Sequence, residues 1–267
     1  MILWCDGAHG ARENMRRDAL LLARASEAGG DPAAREPVLR LFAFDPAGIT
    51  LGRSQHPEAC LDLARCRADG IEWAVRPTGG RAIFHAEEWT YAFAAPIDDP
   101  AWGGTLRDSY ARVSRLVHDS LRMLGAPVSL AAARLHGDAP AAPRGEPSCF
   151  ASTARHEIEL NGRKLVGSAQ RRTATALLQQ GSVLLGPGHL RLADYVALDA
   201  AARERERRRL EARSATLGAL LGTDAPLERW ADAVARTAGS GVRRISAAET
   251  QSLLTLSERA PYTAPAI

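Results

Sequence analysis

One dipeptide constrains the fold more than any other feature. Asn161-Gly162 stands between two short runs, His156 to Leu160 and Lys164 to Ser168. Both residues tolerate positive φ, so the pair predicts a tight antiparallel hairpin. A third run, Ala176 to Leu185, reads as another strand. A second hairpin is expected upstream, where Val38 to Phe44 and Ile49 to Gly52 flank Asp45-Pro46-Ala47-Gly48. Ile71 to Val75, Ala82 to His85 and Trp89 to Ala94 read as further strands. Helical periods alternate with them. Residues 12–28 read as a helix stopped by Gly29-Gly30, and 57–69 look helical. Residues 105–124 form an amphipathic helix through Leu106, Val113, Leu116, Val117, Leu121 and Leu124. The Ala-, Pro- and Gly-rich stretch 131–148 reads as a mobile loop. Helices are expected at 201–221, 226–238 and 246–256. The fold class is therefore α+β: a mixed, mostly antiparallel sheet with helices packed on one side. The chain divides into a body over 1–200 and a helical C-terminal extension over 201–267.

Composition excludes several alternatives. The 267 residues are 46% hydrophobic and 24% charged, which is ordinary for a soluble globular chain and not for a disordered one. No apolar run approaches the ~20 residues that cross a bilayer, so no membrane partner is expected. Met1 to Gly10 carries Asp6 and His9 and lacks a basic segment ahead of an apolar one. It does not read as a secretory leader, and a cytoplasmic location is expected. The formal net charge is only +3. In the densest basic run, Arg203 to Arg209, glutamates alternate with arginines, which predicts a solvated helix face and no nucleic-acid partner.

Two further counts point to chemistry. Lysine and arginine together number 34, yet Lys164 is the sole lysine. Where a bare positive charge suffices, arginine has taken over. A retained lysine either meets a need for a compact ammonium or is one surface lysine that survived by chance. The four cysteines, Cys5, Cys60, Cys66 and Cys149, form no Cys-x-x-Cys pair and no zinc spacing, so neither a metal site nor a disulfide framework is expected. Cys60 and Cys66 read as packing residues. Cys149 stands where the 131–148 loop meets a strand, fifteen residues before Lys164. A nucleophilic cysteine needs such access and a nearby positive charge, although a buried thiol is the commoner fate.

Arg76-Pro77-Thr78-Gly79-Gly80-Arg81-Ala82, with His85 after it, is the second chemistry-bearing segment. Consecutive glycines let backbone N–H groups approach a ligand closely. The flanking arginines suit an anionic or carbonyl group. The segment is neither a P-loop nor a dinucleotide fingerprint. The third segment is Lys164-Leu165-Val166-Gly167-Ser168-Ala169-Gln170, with the lysine at the start of a strand that ends in small and amide-bearing residues.

Taken together, Arg-Pro-Thr-Gly-Gly-Arg-Ala-x-x-His and Gly-Arg-Lys-x-x-Gly-Ser-Ala-Gln resemble the biotin/lipoate protein ligase superfamily. More narrowly, they resemble its branch of lipoate-protein ligases and cysteine-dependent octanoyltransferases. The likeness runs from Glu13-Asn14-Met15 to Leu221. The chain departs from the family at Asn14-Met15-Arg16-Arg17-Asp18-Ala19, at Phe84 and through 131–148. The resemblance implies a ligase-like catalytic domain over 1–200. It implies Cys149 and Lys164 as catalytic residues, with Cys149 taking octanoate from acyl carrier protein as a thioester. It implies substrate binding by Arg76, Thr78, Gly79, Gly80, Arg81, Ala82, His85, Gly167, Ser168, Ala169 and Gln170, and an acyl tunnel for which Val75, Ile83 and Val166 are candidate walls. The implied acceptors are lipoyl domains of 2-oxoacid dehydrogenases or the glycine-cleavage H protein, and the thioester route requires no cofactor. Two alternatives stand beside this reading. One is an ATP- and Mg²⁺-dependent lipoate-protein ligase, which needs no cysteine. The other is a non-catalytic module that binds lipoyl or carrier proteins.

Overall fold

The computed structural model describes residues 1–27, 35–131, 157–245, 249–250 and 253. Its strands are β1 (Ile2–His9), β2 (Val38–Phe44), β3 (Gly48–Leu51), β4 (Glu72–Val75), β5 (Ile83–His85), β6 (Glu88–Pro96), β7 (Val128–Leu130), β8 (Ile158–Leu160), β9 (Arg163–Arg172), β10 (Ala176–Leu184) and β11 (Arg243–Arg244). Its helices are α1 (Ala11–Ser26), α2 (Pro57–Cys60), α3 (Leu63–Ala68), α4 (Leu106–Met123), α5 (Leu192–Tyr195), α6 (Ala200–Arg213), α7 (Gly218–Leu221) and α8 (Leu227–Ala238). Eight strands form one sheet in the order β11-β1-β2-β6-β10-β9-β8-β7, and β4-β3-β5 form a second. In the large sheet β1 pairs β2 and β11 in parallel, and every other pairing is antiparallel. The expected mixed, mostly antiparallel sheet is present.

The helices cover both faces of the large sheet, not one. Side chains alternate along a strand, so each face of β2 meets a different layer. Leu39 and Leu41 join Tyr91, Phe93, Val117 and Trp230 in a core that α4 and α8 close. Val38 and Phe42 join Met15, Leu21 and Ala92 beneath α1. Residues 88–96 of β6 are consequently buried throughout. Trp230 of α8 is fully buried in the first of these cores, and β11 extends the sheet at β1. Elements beyond residue 200 thus share the core of those before it.

One of the two expected hairpins is present and the other is not. Asn161 (φ 53°) and Gly162 (φ 72°) do turn β8 into β9. The turn at 45–48 instead sends the chain from the large sheet to the small one, so β2 and β3 do not pair. The stretch 201–221 breaks after Arg213. There the Ala215 N–H binds the Lys164 carbonyl (2.9 Å) and the Leu217 N–H binds that of Leu184 (3.0 Å). These bonds hold the segment after Ser214 against the sheet up to Leu217, where the chain bends into α7. The arginines of α6 reach carboxylates, Arg203 to Asp62 and Arg208 to Glu204 (both 2.8 Å). The loop expected at 131–148 and most of the helix expected at 246–256 lie outside the described residues. Among the described residues, no helix is long and apolar enough to cross a membrane.

In the first turn of α1, Glu13 accepts from Arg16 (2.7 Å) and Arg17 (2.6 Å). These bonds hold its carboxyl at about 2, against an ordinary 4.5. A depressed acid stabilises the fold above its unfolded value and loses that contribution as pH falls through the folded one. The carboxylate is about a third exposed, so screening leaves about 1 kcal/mol. Glu13→Gln should therefore lower the unfolding free energy by about this amount at neutral pH. Urea titrations of both proteins should converge between about pH 4.5 and 2.

Candidate active site

The glycine segment joins β4 to β5 and is held from within. Buried Arg76 donates to the carbonyls of Gly79 (2.7 Å) and Arg81 (2.8 Å), and more weakly to Thr50 Oγ1 (3.3 Å). Its guanidinium therefore clamps the segment's own backbone. Gly80 sits at φ 93°, which favours glycine. A Cβ on Gly52 would lie 1.9 Å from the Gly80 carbonyl oxygen, so the two strands meet there only because that position is glycine.

An opening of about 340 Å³, partly open to solvent, lies beside this segment. Five of the sequence-predicted residues line it: Arg76, His85, Gly167, Ser168 and Ala169. Ile83 is on its wall, whereas Val75 and Val166 are not. Val166 packs into the α4 core and Val75 against the small sheet. Thr78 stands one hydrogen bond behind the wall, through Gln180. Gly79 and Arg81 carry the carbonyls that Arg76 holds. Ala82 is wholly buried beside Phe84 and Ile49. Gln170 faces α4, where it meets Ser109 (3.3 Å) and Gln179 (3.2 Å). Cys149 lies outside the described residues. Burial pushes the thiols of Cys5 (to about 11), Cys60 and Cys66 up, which keeps these three protonated at neutral pH.

His85 is locked in place. Its ring stacks on Phe44, centroids 3.9 Å apart. Nδ1 lies 2.6 Å from Glu88 Oε1, and the Thr90 and Ser182 hydroxyls donate to that same oxygen (2.6 and 2.9 Å). Nε2 lies 2.7 Å from Thr50 Oγ1. Glu88 Oε1 already accepts from both hydroxyls, so Nδ1 is the donor of that pair. Thr50 already accepts from Arg76, so its own proton is free to point at Nε2.

Lys164 is buried, and its Nζ donates to Glu157 Oε1 at 2.5 Å. It does not line the opening, but Gly167, three residues on, does. Sequence reasoning missed Glu157, Thr50, Glu88, Thr90, Ser182, Gly181, Gln180 and Met15. One signal was available. Gln179-Gln180-Gly181-Ser182 interrupts an apolar strand with polar residues, and in a strand buried on both faces each needs a partner.

Gln180 has two strong partners and a weak one at Met15 Sδ (3.5 Å). Thr78 Oγ1 donates to its Oε1 (2.7 Å), and its Nε2 donates to Asp18 Oδ2 (2.5 Å). Asp18 also takes Arg40 (2.6 Å), which in turn binds Asp6 (2.7 Å) and lies over Phe42. Complete burial pushes the Asp18 carboxyl up, and the Arg40 charge opposes it. Asp18→Ala leaves Arg40 half-compensated and the Gln180 amide with only the weak Met15 Sδ contact (3.5 Å). It should cost about 3–5 kcal/mol, read as a lower urea midpoint with an unchanged slope. Among the described residues, no three His, Cys, Asp or Glu side chains converge to hold a metal.

This arrangement has known counterparts. The sequence profile of the lipoyl protein ligase A/B catalytic domain matches residues 11–239. The chain belongs to that family. Among family relatives, an octanoyltransferase LipM of Moorella thermoacetica is 41% identical over 152 residues, 56% of this chain and 54% of that protein. The LipM of Carboxydothermus hydrogenoformans is 34% identical over 65% of this chain and 60% of its own. That of Kyrpidia tusciae is 33% identical over 74% and 73%. The match thus spans little more than half of the first relative and under two thirds of the second. Among solved structures, a bi-partite lipoate protein ligase from Thermoplasma acidophilum superposes with a TM-score of 0.69 at 19% identity, covering 95% of this chain and 90% of that one. A lipoate-protein ligase A bound with ATP gives 0.65 at 20% identity, covering 95% and 92%. These two share the fold.

Proposed function

We propose that this chain is an octanoyltransferase. It moves octanoate from acyl carrier protein to a lysine of a lipoyl domain or of the glycine-cleavage H protein. The observation that carries the reading is the setting of Lys164. The sole lysine of the sequence is a buried ammonium at the start of β9, and Gly167, three residues on, lines the opening. A cysteine stands fifteen residues before it. The LipM relatives, at 33–41% identity, support the same reaction class.

The chemistry runs in two halves. The Cys149 thiolate attacks the thioester carbonyl of octanoyl-acyl carrier protein, the carbon–sulfur bond to phosphopantetheine breaks, and that thiol leaves with a proton. The acceptor amine then attacks the Cys149 thioester, forms an amide and returns the cysteine thiol. Each half passes through an oxyanion. The Lys164 charge and N–H groups of the Gly79-Gly80 backbone are the donors that would meet it. The same charge favours thiolate over thiol. Arg76, held on the loop carbonyls, keeps that backbone in place, and His85, Gly167, Ser168 and Ala169 shape the wall. Met15 and Ile83 supply apolar surface for the acyl chain.

A thioester donor carries its own activation, so neither ATP nor Mg²⁺ is needed. The test is modification of a lipoyl domain, read by its mass. Octanoyl-acyl carrier protein without ATP should octanoylate the acceptor, and free octanoate with ATP and Mg²⁺ should not. The reverse pattern would make the chain a ligase, and binding without modification in either mixture would make it a non-catalytic module.

A further inference from the structure

The register of β8 against β9 contains an irregularity with a chemical consequence. Glu159 lies opposite Lys164 and Leu160 opposite Arg163, but Ile158 lies opposite Val166. Leu165 and Val166 therefore oppose one residue, which is a β-bulge. Opposed residues share a face of the sheet, and successive residues alternate. Lys164 thus shares a face with Glu159 and, two residues along, with Glu157. Val166 shares the other face with Ile158. Past the bulge, Gly167 and Ala169 fall on the Lys164 side. The contacts agree. Ile158, Leu165 and Val166 pack into the α4 core, as do the partners of Ser168 and Gln170. Gly167 and Ala169 line the opening, and Ser168 between them also borders it while its hydroxyl meets Tyr91 on the other side. Without the extra residue, Lys164 would face α4.

The bulge turns two long charged side chains to the same side, and they meet. Lys164 Nζ and Glu157 Oε1 are 2.5 Å apart, and both side chains are 3% exposed. A four-carbon stem otherwise has many rotamers and would place its ammonium loosely. We propose that Glu157 is the positioning residue of Lys164, fixing its ammonium on the cavity face. The consequence for octanoyl transfer rests on the function proposed above. Reacting groups displaced by about 1 Å can lose 10- to 100-fold in rate, so Glu157 acts on turnover through Lys164 and not on carrier binding.

The single lysine makes a direct test possible. Protein grown on [¹⁵N]lysine contains one labelled side-chain nitrogen, whose ammonium protons are visible in water only when exchange is slowed. Wild type should give one sharp ammonium signal. Glu157→Ala should lose it, and Glu157→Gln, which keeps an acceptor oxygen and the volume, should retain it in part. In parallel, kcat for transfer from octanoyl-acyl carrier protein should fall about 10- to 100-fold in Glu157→Ala. KM should hold within about two-fold, and Glu157→Gln should recover part of kcat. An ammonium signal and a kcat unchanged in folded Glu157→Gln and Glu157→Ala would overturn the proposal. If the signal responds as expected while wild type transfers no octanoate, the positioning role stands and the transferase reading falls.

Discussion

Lys164→Ala is expected to slow octanoyl transfer about 100-fold, because one lost oxyanion donor costs ~3 kcal/mol in the transition state. It is also expected to unfold more easily. Removing the ammonium takes the 2.5 Å cation partner away from buried Glu157, and breaking a buried ion pair costs about 3–5 kcal/mol. The two effects are separable. Lys164→Met with Glu157→Leu replaces the pair with apolar groups of similar volume, which is commonly neutral or stabilising. The double variant should regain the wild-type urea midpoint while transfer stays about 100-fold down. If activity returned together with stability, Lys164 would be a structural residue alone. Equal losses in kcat and kcat/KM are expected, because the interaction is made in the transition state.

Local signals were legible in the chain and long-range ones were not. Val38 to Phe44 is an apolar run broken only by Arg40, and the structure has that strand with those ends. Asn161-Gly162 fixed a hairpin because the turn chemistry and the pairing involve the same few residues. Asp45-Pro46-Ala47-Gly48 signals only a reversal. Which strand β2 and β3 each pair with depends on β6 and β5, so the expected hairpin is absent. β1 was overlooked for the same reason. Its partner β2 runs parallel, and parallel pairs need a long crossover with no turn signal between them.

The site divides along the same line. Arg76, His85, Gly167, Ser168 and Ala169 were readable because they sit in two short motifs, and the fold brings both to one opening. The groups that hold them come from elsewhere. Asp18 on α1 reaches Gln180 across 162 positions, and Thr78 reaches Gln180 across 102. Gln170 was placed with its motif neighbours, but strand alternation turns it to α4. The orientation of Lys164 depends on one extra residue in β9, which no periodicity in a ten-residue strand reveals.

The central claim is the covalent cysteine, and intact mass tests it most directly. Wild-type protein and Cys149→Ala would each be mixed with octanoyl-acyl carrier protein and no ATP. The account predicts that wild type gains one octanoyl group, lost on adding a lipoyl domain, and that Cys149→Ala gains none and transfers none. An adduct of equal yield on both proteins, or octanoylation of the lipoyl domain by Cys149→Ala at the wild-type rate, would contradict it.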